Sequence, residues 1–205
     1  VEGNIRRFVF SSSSCVYGGC SEAMSECMDR MPDTPYAITK VLGEQYVRFF
    51  ATHNGLSTVI IRYFNSYGPG ELSGQFRNVI PNFFALAAGG KALPITGTGL
   101  ETRDFTYVED IVSGTILAAV SPLGEGEIFN LGTGKETQIS NLAEKINLIT
   151  GNKSGTVKTS NRTWDQVSRR RACVEKARTL LNYEPKIGLD EGLRRYWNWY
   201  SKITE

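Results

Sequence analysis

Several chemistries are closed to this chain by what it does not contain. It has a single histidine, His53, and no cysteines spaced as Cys-x-x-Cys, so Cys15, Cys20, Cys27 and Cys173 offer neither a metal cluster nor a redox pair. No metal is expected. No apolar run approaches the ~20 residues of a membrane-spanning helix, and the opening Val1 to Phe10 lacks the three-part build of a secretion signal. Twenty-three basic residues against twenty-one acidic leave a net charge of +2, with no block of like charge beyond Arg169, Arg170 and Arg171. Nucleic acid and membrane are therefore not the expected partners, and a cytoplasmic protein with free thiols is expected. Also lacking is any G-x-G-x-x-G turn after a strand. Gly132-Thr-Gly134-Lys135 is not a phosphate loop, because Phe129 and Glu136 stand where such a loop needs a glycine and a hydroxyl residue.

What is present is a chain of 205 residues, 40% hydrophobic, long enough for one sizeable core and a small second lobe. Phe8-Val9-Phe10 and Thr58 to Phe64 read as buried parallel strands. Between them Thr34 caps and Pro35 opens a helix predicted from about Tyr36 to His53, which Gly55 closes. Further helices are predicted at about 76–89, at 108–120, at 140–150 opened by Ser140, at 174–181, and from about Asp190, where Leu193, Trp197 and Tyr200 share a face. Glu127 to Leu131 reads as another strand. This alternation predicts an α/β fold, a partial doubly wound (Rossmann-like) parallel sheet lacking its first strands.

Tyr36-Ala-Ile-Thr-Lys40 stacks a phenol and an ammonium one helical turn apart. A neighbouring cation favours the phenolate, and a phenol of ordinary pKa needs such help to act as a base. The pair alone arises readily by chance, but its setting is informative. Ser11-Ser-Ser-Ser-Cys-Val-Tyr-Gly18 ends a strand, where open α/β sheets place their ligands. This combination resembles the extended short-chain dehydrogenase/reductase family, specifically its NAD-dependent nucleotide-sugar epimerases and dehydratases of the UDP-glucose 4-epimerase kind. The resemblance continues in family order through Arg62-Tyr-Phe-Asn-Ser-Tyr-Gly-Pro69, Asn78-Val-Ile-Pro81 and Thr102-Arg-Asp-Phe-Thr-Tyr-Val-Glu-Asp110. Phe129-Asn-Leu-Gly-Thr-Gly134, Arg170 through Ala177 and Leu189-Asp-Glu-Gly-Leu-Arg194 complete it.

The resemblance implies catalytic roles for Ser13, Tyr36 and Lys40, with Tyr36 as base and Lys40 also holding the nicotinamide ribose. It implies NAD contacts at Ser12, Tyr36, Lys40, Tyr63 and Phe64, with most of the NAD site upstream of residue 1. Ser13, Asn65, Asn78, Arg103 and Arg170 are the implied contacts to a nucleoside-diphosphate sugar, arginine being suited to a diphosphate. Arg62, behind a buried strand, reads as structural. The implied domains are 1–70, the later half of an NAD-binding domain, and 71–205, mainly a substrate-binding lobe, with about 104–135 returning to the sheet.

The implied chemistry is transient oxidation to a 4-keto sugar. Dehydratases of the family follow their catalytic Thr with Asp-Glu, whereas this chain has Ser14-Cys15. A 3,5-epimerase would use Cys15 with a second acid/base after Gly-Pro, and Gly70-Glu71-Leu72-Ser73 provides none, so Cys15 reads as a small buried residue. A 4-epimerase is the leading expectation. The alternatives are a catalytically incomplete fragment that only binds nucleotide sugar, a 4,6-dehydratase, and a 3,5-epimerase/reductase. Cys173 replaces an aspartate common in the family, which leaves Arg170 without an orienting carboxylate. A homodimer through the helix of Tyr36 stays open.

Overall fold

The computed structural model describes residues 5–20, 22–74, 78–160 and 167–204. Its elements in chain order are β1 (Phe8–Ser13), α1 (Pro35–Asn54), β2 (Thr58–Tyr63), β3 (Ser66–Tyr67), α2 (Val79–Ala88), β4 (Leu93–Thr96), β5 (Thr102–Arg103), β6 (Thr106–Tyr107), α3 (Val108–Val120), β7 (Ile128–Leu131), β8 (Thr137–Gln138), α4 (Ile139–Thr150), β9 (Thr156–Thr159), α5 (Glu175–Leu181) and α6 (Leu189–Thr204). A 3-10 turn, Ser14–Tyr17, follows β1 directly.

Three strands run parallel in the order β1-β2-β7, with Ser13 level with Tyr63 and Tyr63 level with Leu131. Side chains alternate across a strand. Val59 and Ile61 of β2 thus pack with Ile111 and Ala118 of α3 and Ala177 and Leu181 of α5. Ile60 turns the other way, onto Val47 of α1. Helices therefore cover both sides of a parallel sheet, the α/β arrangement expected. The expectation of two buried strands holds for β2 alone. Phe8 of β1 is 41% exposed, and among the described residues β1 hydrogen-bonds to β2 only, as an edge strand does.

A second core gathers Ile80 and Phe84 of α2, Leu93 of β4, Leu142 of α4, and Leu193 and Tyr196 of α6. It stands beside the sheet, so the segments that return to the sheet are α3, β7 and also α5, beyond the 104–135 of the sequence reading. Helix ends follow local chemistry. Thr34 Oγ1 accepts from Ala37 N at 3.1 Å, Pro35 occupies the first turn, and Gly55 closes α1 at φ 63°. Ser140 does not open α4; the helix begins at Ile139, and the Ser140 N–H is held by Gly99 O. On α6 the fully buried aromatic is Tyr196, one residue before the expected Trp197. The helix expected from about 76 begins at Val79, residues 76 and 77 lying outside the described residues.

Two features bring α1 down onto β1. A Cβ at Gly43 would lie 2.2 Å from Cζ of Phe10, so only glycine permits this approach. Next to it, Glu44 is fully buried and receives Arg62 Nε and Nη2 at 2.9 and 2.8 Å and the Ser12 hydroxyl at 2.6 Å. Arg62 also donates to Tyr17 OH at 2.8 Å, and Tyr17 donates to Asn130 Oδ1 at 2.8 Å. Burial alone would raise the Glu44 carboxyl, but the bonds from Arg62 outweigh it and hold the group below its ordinary 4.5. Arg62 is correspondingly raised.

Removing one partner of a buried ion pair leaves the other charge uncompensated. Glu44→Gln should therefore lower the unfolding free energy by about 3–5 kcal/mol in denaturant titrations. The double variant Glu44→Leu/Arg62→Met should lose less than the sum of its parts. Because the folded carboxyl titrates below its unfolded value, its stabilisation is complete above about pH 4.5 and is lost as the pH falls further. Glu44→Gln should remove that acid-induced loss.

Candidate active site

The site forms where β1 ends against the first turns of α1. Ser13 caps the 3-10 turn, its Oγ accepting from Cys15 N at 3.2 Å, and its hydroxyl stands close enough to Tyr36 to act on the phenol's pKa, lowering it. Four residues along α1, the Lys40 ammonium donates to Ser11 O at 2.9 Å and lies 5.6 Å from the centroid of the Tyr36 ring. The hydroxyl, phenol and ammonium named by the sequence thus stand together. Tyr36 remains 53% exposed, so an incoming ligand can reach it.

The electrostatics differ from the expectation. Burial raises the Tyr36 phenol above its ordinary 10.0, against the lowering effect of Ser13, and the nearby Cys15 adds to the rise. The Lys40 ammonium points to the Ser11 carbonyl and stands beside the ring, and it is not among the groups that shift the phenol.

Other expected contacts divide into engaged and available groups. Ser12 is 3% exposed and its hydroxyl is held by Glu44, so this side chain is not a cofactor contact. Tyr63 packs into the sheet core with its hydroxyl 3.1 Å from Thr115 Oγ1, and Phe64 is fully buried against Tyr17 and Ala172. The Phe64 ring is thus buried in the fold, and the Tyr63 ring, partly buried, packs against the sheet core. The amide of Asn78 donates to Ser66 O and Glu71 Oε1, holding the start of α2 to β3. Arg103 sits on β5, with Nη1 donating to Thr102 O and Val167 O. Asn65, directly after β2, keeps a buried carbonyl oxygen without a partner. Arg170 is only 9% exposed, donates through Nη1 to Cys15 Sγ at 3.3 Å, and has a buried Nε without a partner. Buried polar groups are normally satisfied, and among the described residues the exceptions are Asn65 Oδ1, Arg170 Nε and Arg171 Nε.

Three site-building residues escaped the sequence reading. Glu44 and Tyr17 anchor α1 and the 3-10 turn. Asp104 is fully buried and accepts from the N–H groups of Thr133, Gly134 and Ala172 at 2.9, 2.9 and 3.1 Å, which holds the segment carrying Arg170 against the end of β7. The position of Asp104 between Arg103 and Phe105 in a family motif was the available signal. Among the described residues no helix is long and apolar enough to cross a membrane.

The comparisons with known proteins agree with this geometry. The model of the NAD dependent epimerase/dehydratase family matches residues 1–132. The chain is 34% identical to a UDP-N-acetyl-alpha-D-glucosaminuronate decarboxylase of Bacillus cytotoxicus over 97% of its own length and 64% of that relative's. An epimerase of Methanothermobacter thermautotrophicus superposes with a TM-score of 0.93 at 45% identity, covering 97% of this chain and 60% of that one. A UDP-glucose 4-epimerase of Thermotoga maritima, solved with UDP-glucose, gives 0.93 at 33% identity, covering 98% and 65%. The chain spans about three fifths of the length of the curated relatives it matches.

Because burial raises the phenol, Tyr36 should contribute no phenolate below its ordinary value of 10.0. Difference absorbance of wild type against Tyr36→Phe, titrated from neutral to alkaline pH, measures this. Tyrosinate lost in the variant at neutral pH would contradict it.

Proposed function

This chain belongs to the NAD-dependent epimerase/dehydratase family, and from that premise we propose that it carries the proton-transfer and sugar-nucleotide-binding residues of a UDP-sugar 4-epimerase. The observation that carries the reading is the meeting of Ser13, Tyr36 and Lys40 at the end of β1. In the proposed reaction Tyr36 takes the proton from the sugar's C4 hydroxyl, and Ser13 hydrogen-bonds the same oxygen. NAD, when bound, would supply the hydride acceptor and a positive charge that favours proton removal by Tyr36. The residues present fit such a cofactor, since the Lys40 ammonium has a single acceptor, Ser11 O, among the described residues and stays at the surface for a ribose. After the 4-keto sugar forms and presents its opposite face, the hydride would return from the reduced cofactor to C4 while Tyr36 returns the proton to the C4 oxygen.

Arg170, with no carboxylate partner among the described residues and an unsatisfied Nε, favours a diphosphate, and Asn65 offers a further buried acceptor. Ser14 and Cys15 follow the catalytic serine, so the acid and base that elimination of water requires are not supplied there. This supports epimerisation over dehydration. The free thiols of Cys15, Cys20, Cys27 and Cys173 suit the reducing cytoplasm in which we place the enzyme.

We also propose a homodimer through α1, whose outer side leaves Leu42, Tyr46 and Phe49 at least half exposed in one groove. Light scattering should report two copies for wild type and one for Leu42→Glu/Phe49→Glu.

For the reaction, Tyr36→Phe should reduce turnover of UDP-glucose by about 10²–10⁴-fold in the catalytically active length of the protein, with UDP-glucose affinity nearly unchanged. Lost affinity with retained turnover would remove Tyr36 from the role of base.

A further inference from the structure

We propose that Cys15 positions Arg170 for the ligand's diphosphate, orienting the guanidinium without neutralising it; the idea rests on the reading of the site given above. Arg170 is nine-tenths buried, and the one hydrogen bond its guanidinium makes among the described residues is to Cys15 Sγ, at 3.3 Å. Its Nε has no partner. A buried arginine ordinarily carries a carboxylate. Here the acid nearest along the fold, Asp104, is already engaged by the N–H groups of Thr133, Gly134 and Ala172. Residue 173, three positions on, is a cysteine whose N–H goes to Met24 O. Cys15 thus supplies what a carboxylate would supply in direction but not in charge. The sulfur accepts one N–H and so orients the guanidinium, while no carboxylate among the described residues pairs with it and its charge stays open to an anion.

The same residue touches the catalytic end. The Cys15 N–H donates to Ser13 Oγ at 3.2 Å, and Ser13 in turn stands near the Tyr36 phenol and acts on its pKa. Cys15 therefore spans, with its backbone and side chain, the gap between the hydroxyl that meets the sugar and the arginine that meets the diphosphate. It is a positioning residue, because its effect on the ligand passes through Arg170.

Calorimetric titration of the chain with UDP, and with uridine as the phosphate-free control, tests this. Cys15→Ala should weaken UDP binding about fivefold to tenfold, the value of one ordinary hydrogen bond, as suits a weak sulfur acceptor, and leave uridine unaffected. Cys15→Ser retains an acceptor and should stay within about twofold of wild type. Cys15→Asp should weaken UDP more than Cys15→Ala, because a carboxylate neutralises the guanidinium and competes with the diphosphate. In an Arg170→Ala background, Cys15→Ala should add nothing. An unchanged UDP affinity in Cys15→Ala, an equal loss for UDP and uridine, or a further loss in the Arg170→Ala background would overturn the proposal. If UDP does not bind the wild-type chain, or binds Arg170→Ala equally well, the reading of the diphosphate site itself falls and the proposal falls with it.

Discussion

The buried pair of Glu44 and Arg62 ties together every element that builds the site. Glu44 comes from α1 and Arg62 from β2; Ser12 of β1 joins through the carboxylate, and Tyr17 of the 3-10 turn joins through the guanidinium. A charge in so dry a place is tolerable only with its partner and its hydrogen bonds in position, so the register of α1 along the sheet is set within a narrow range. Tyr36 and Lys40 lie two turns and one turn before Glu44 on the same helix. Their height over Ser13 and Ser11 follows from where Glu44 is held. Gly43 removes the one side chain that would keep the helix away from Phe10.

The polar groups of this region fall into two populations with opposite states. Scaffold groups are saturated: Asp104 caps three N–H groups, Asp110 receives those of Lys186 and Ile187, and Asn130 links Tyr17 to the carbonyls of Met24 and Cys173. Site groups are left short, with a bare carbonyl on Asn65 and a bare Nε on Arg170. Leaving buried polar groups unmatched costs stability, and the saturated neighbours are what keep such groups from collapsing onto other partners. A site that is rigid and unsatisfied at once is suited to a ligand carrying both a charged diphosphate and neutral hydroxyls.

Tyr36 shows the same division at the level of proton chemistry. The phenol stands near Ser13 with Lys40 beside its ring, and burial pushes its pKa above the ordinary value, so under the proposed function its base strength would depend on a positive charge brought by the cofactor.

The sequence by itself determined the elements that local rules govern. Thr34, Pro35 and Gly55 bracket α1 by capping chemistry, the apolar run from Thr58 marks a buried strand, and the four-residue spacing of Tyr36 and Lys40 fixes them on one helix face. The strand-end hydroxyl cluster Ser11 to Ser14 was legible, and the family resemblance singled out Ser13 within it. What only the tertiary structure decided was which polar side chains were already engaged. Ser12 and Ser13 look alike in sequence, but alternation along β1 delivers one to Glu44 and the other to Tyr36. Tyr63 meets Thr115, Phe64 is buried against Tyr17, and Cys15 gains a partner 155 residues away in Arg170, for the same reason. Hydrogen-bond partners and burial are set by contacts between segments remote in the chain, and no local pattern of residues carries that information.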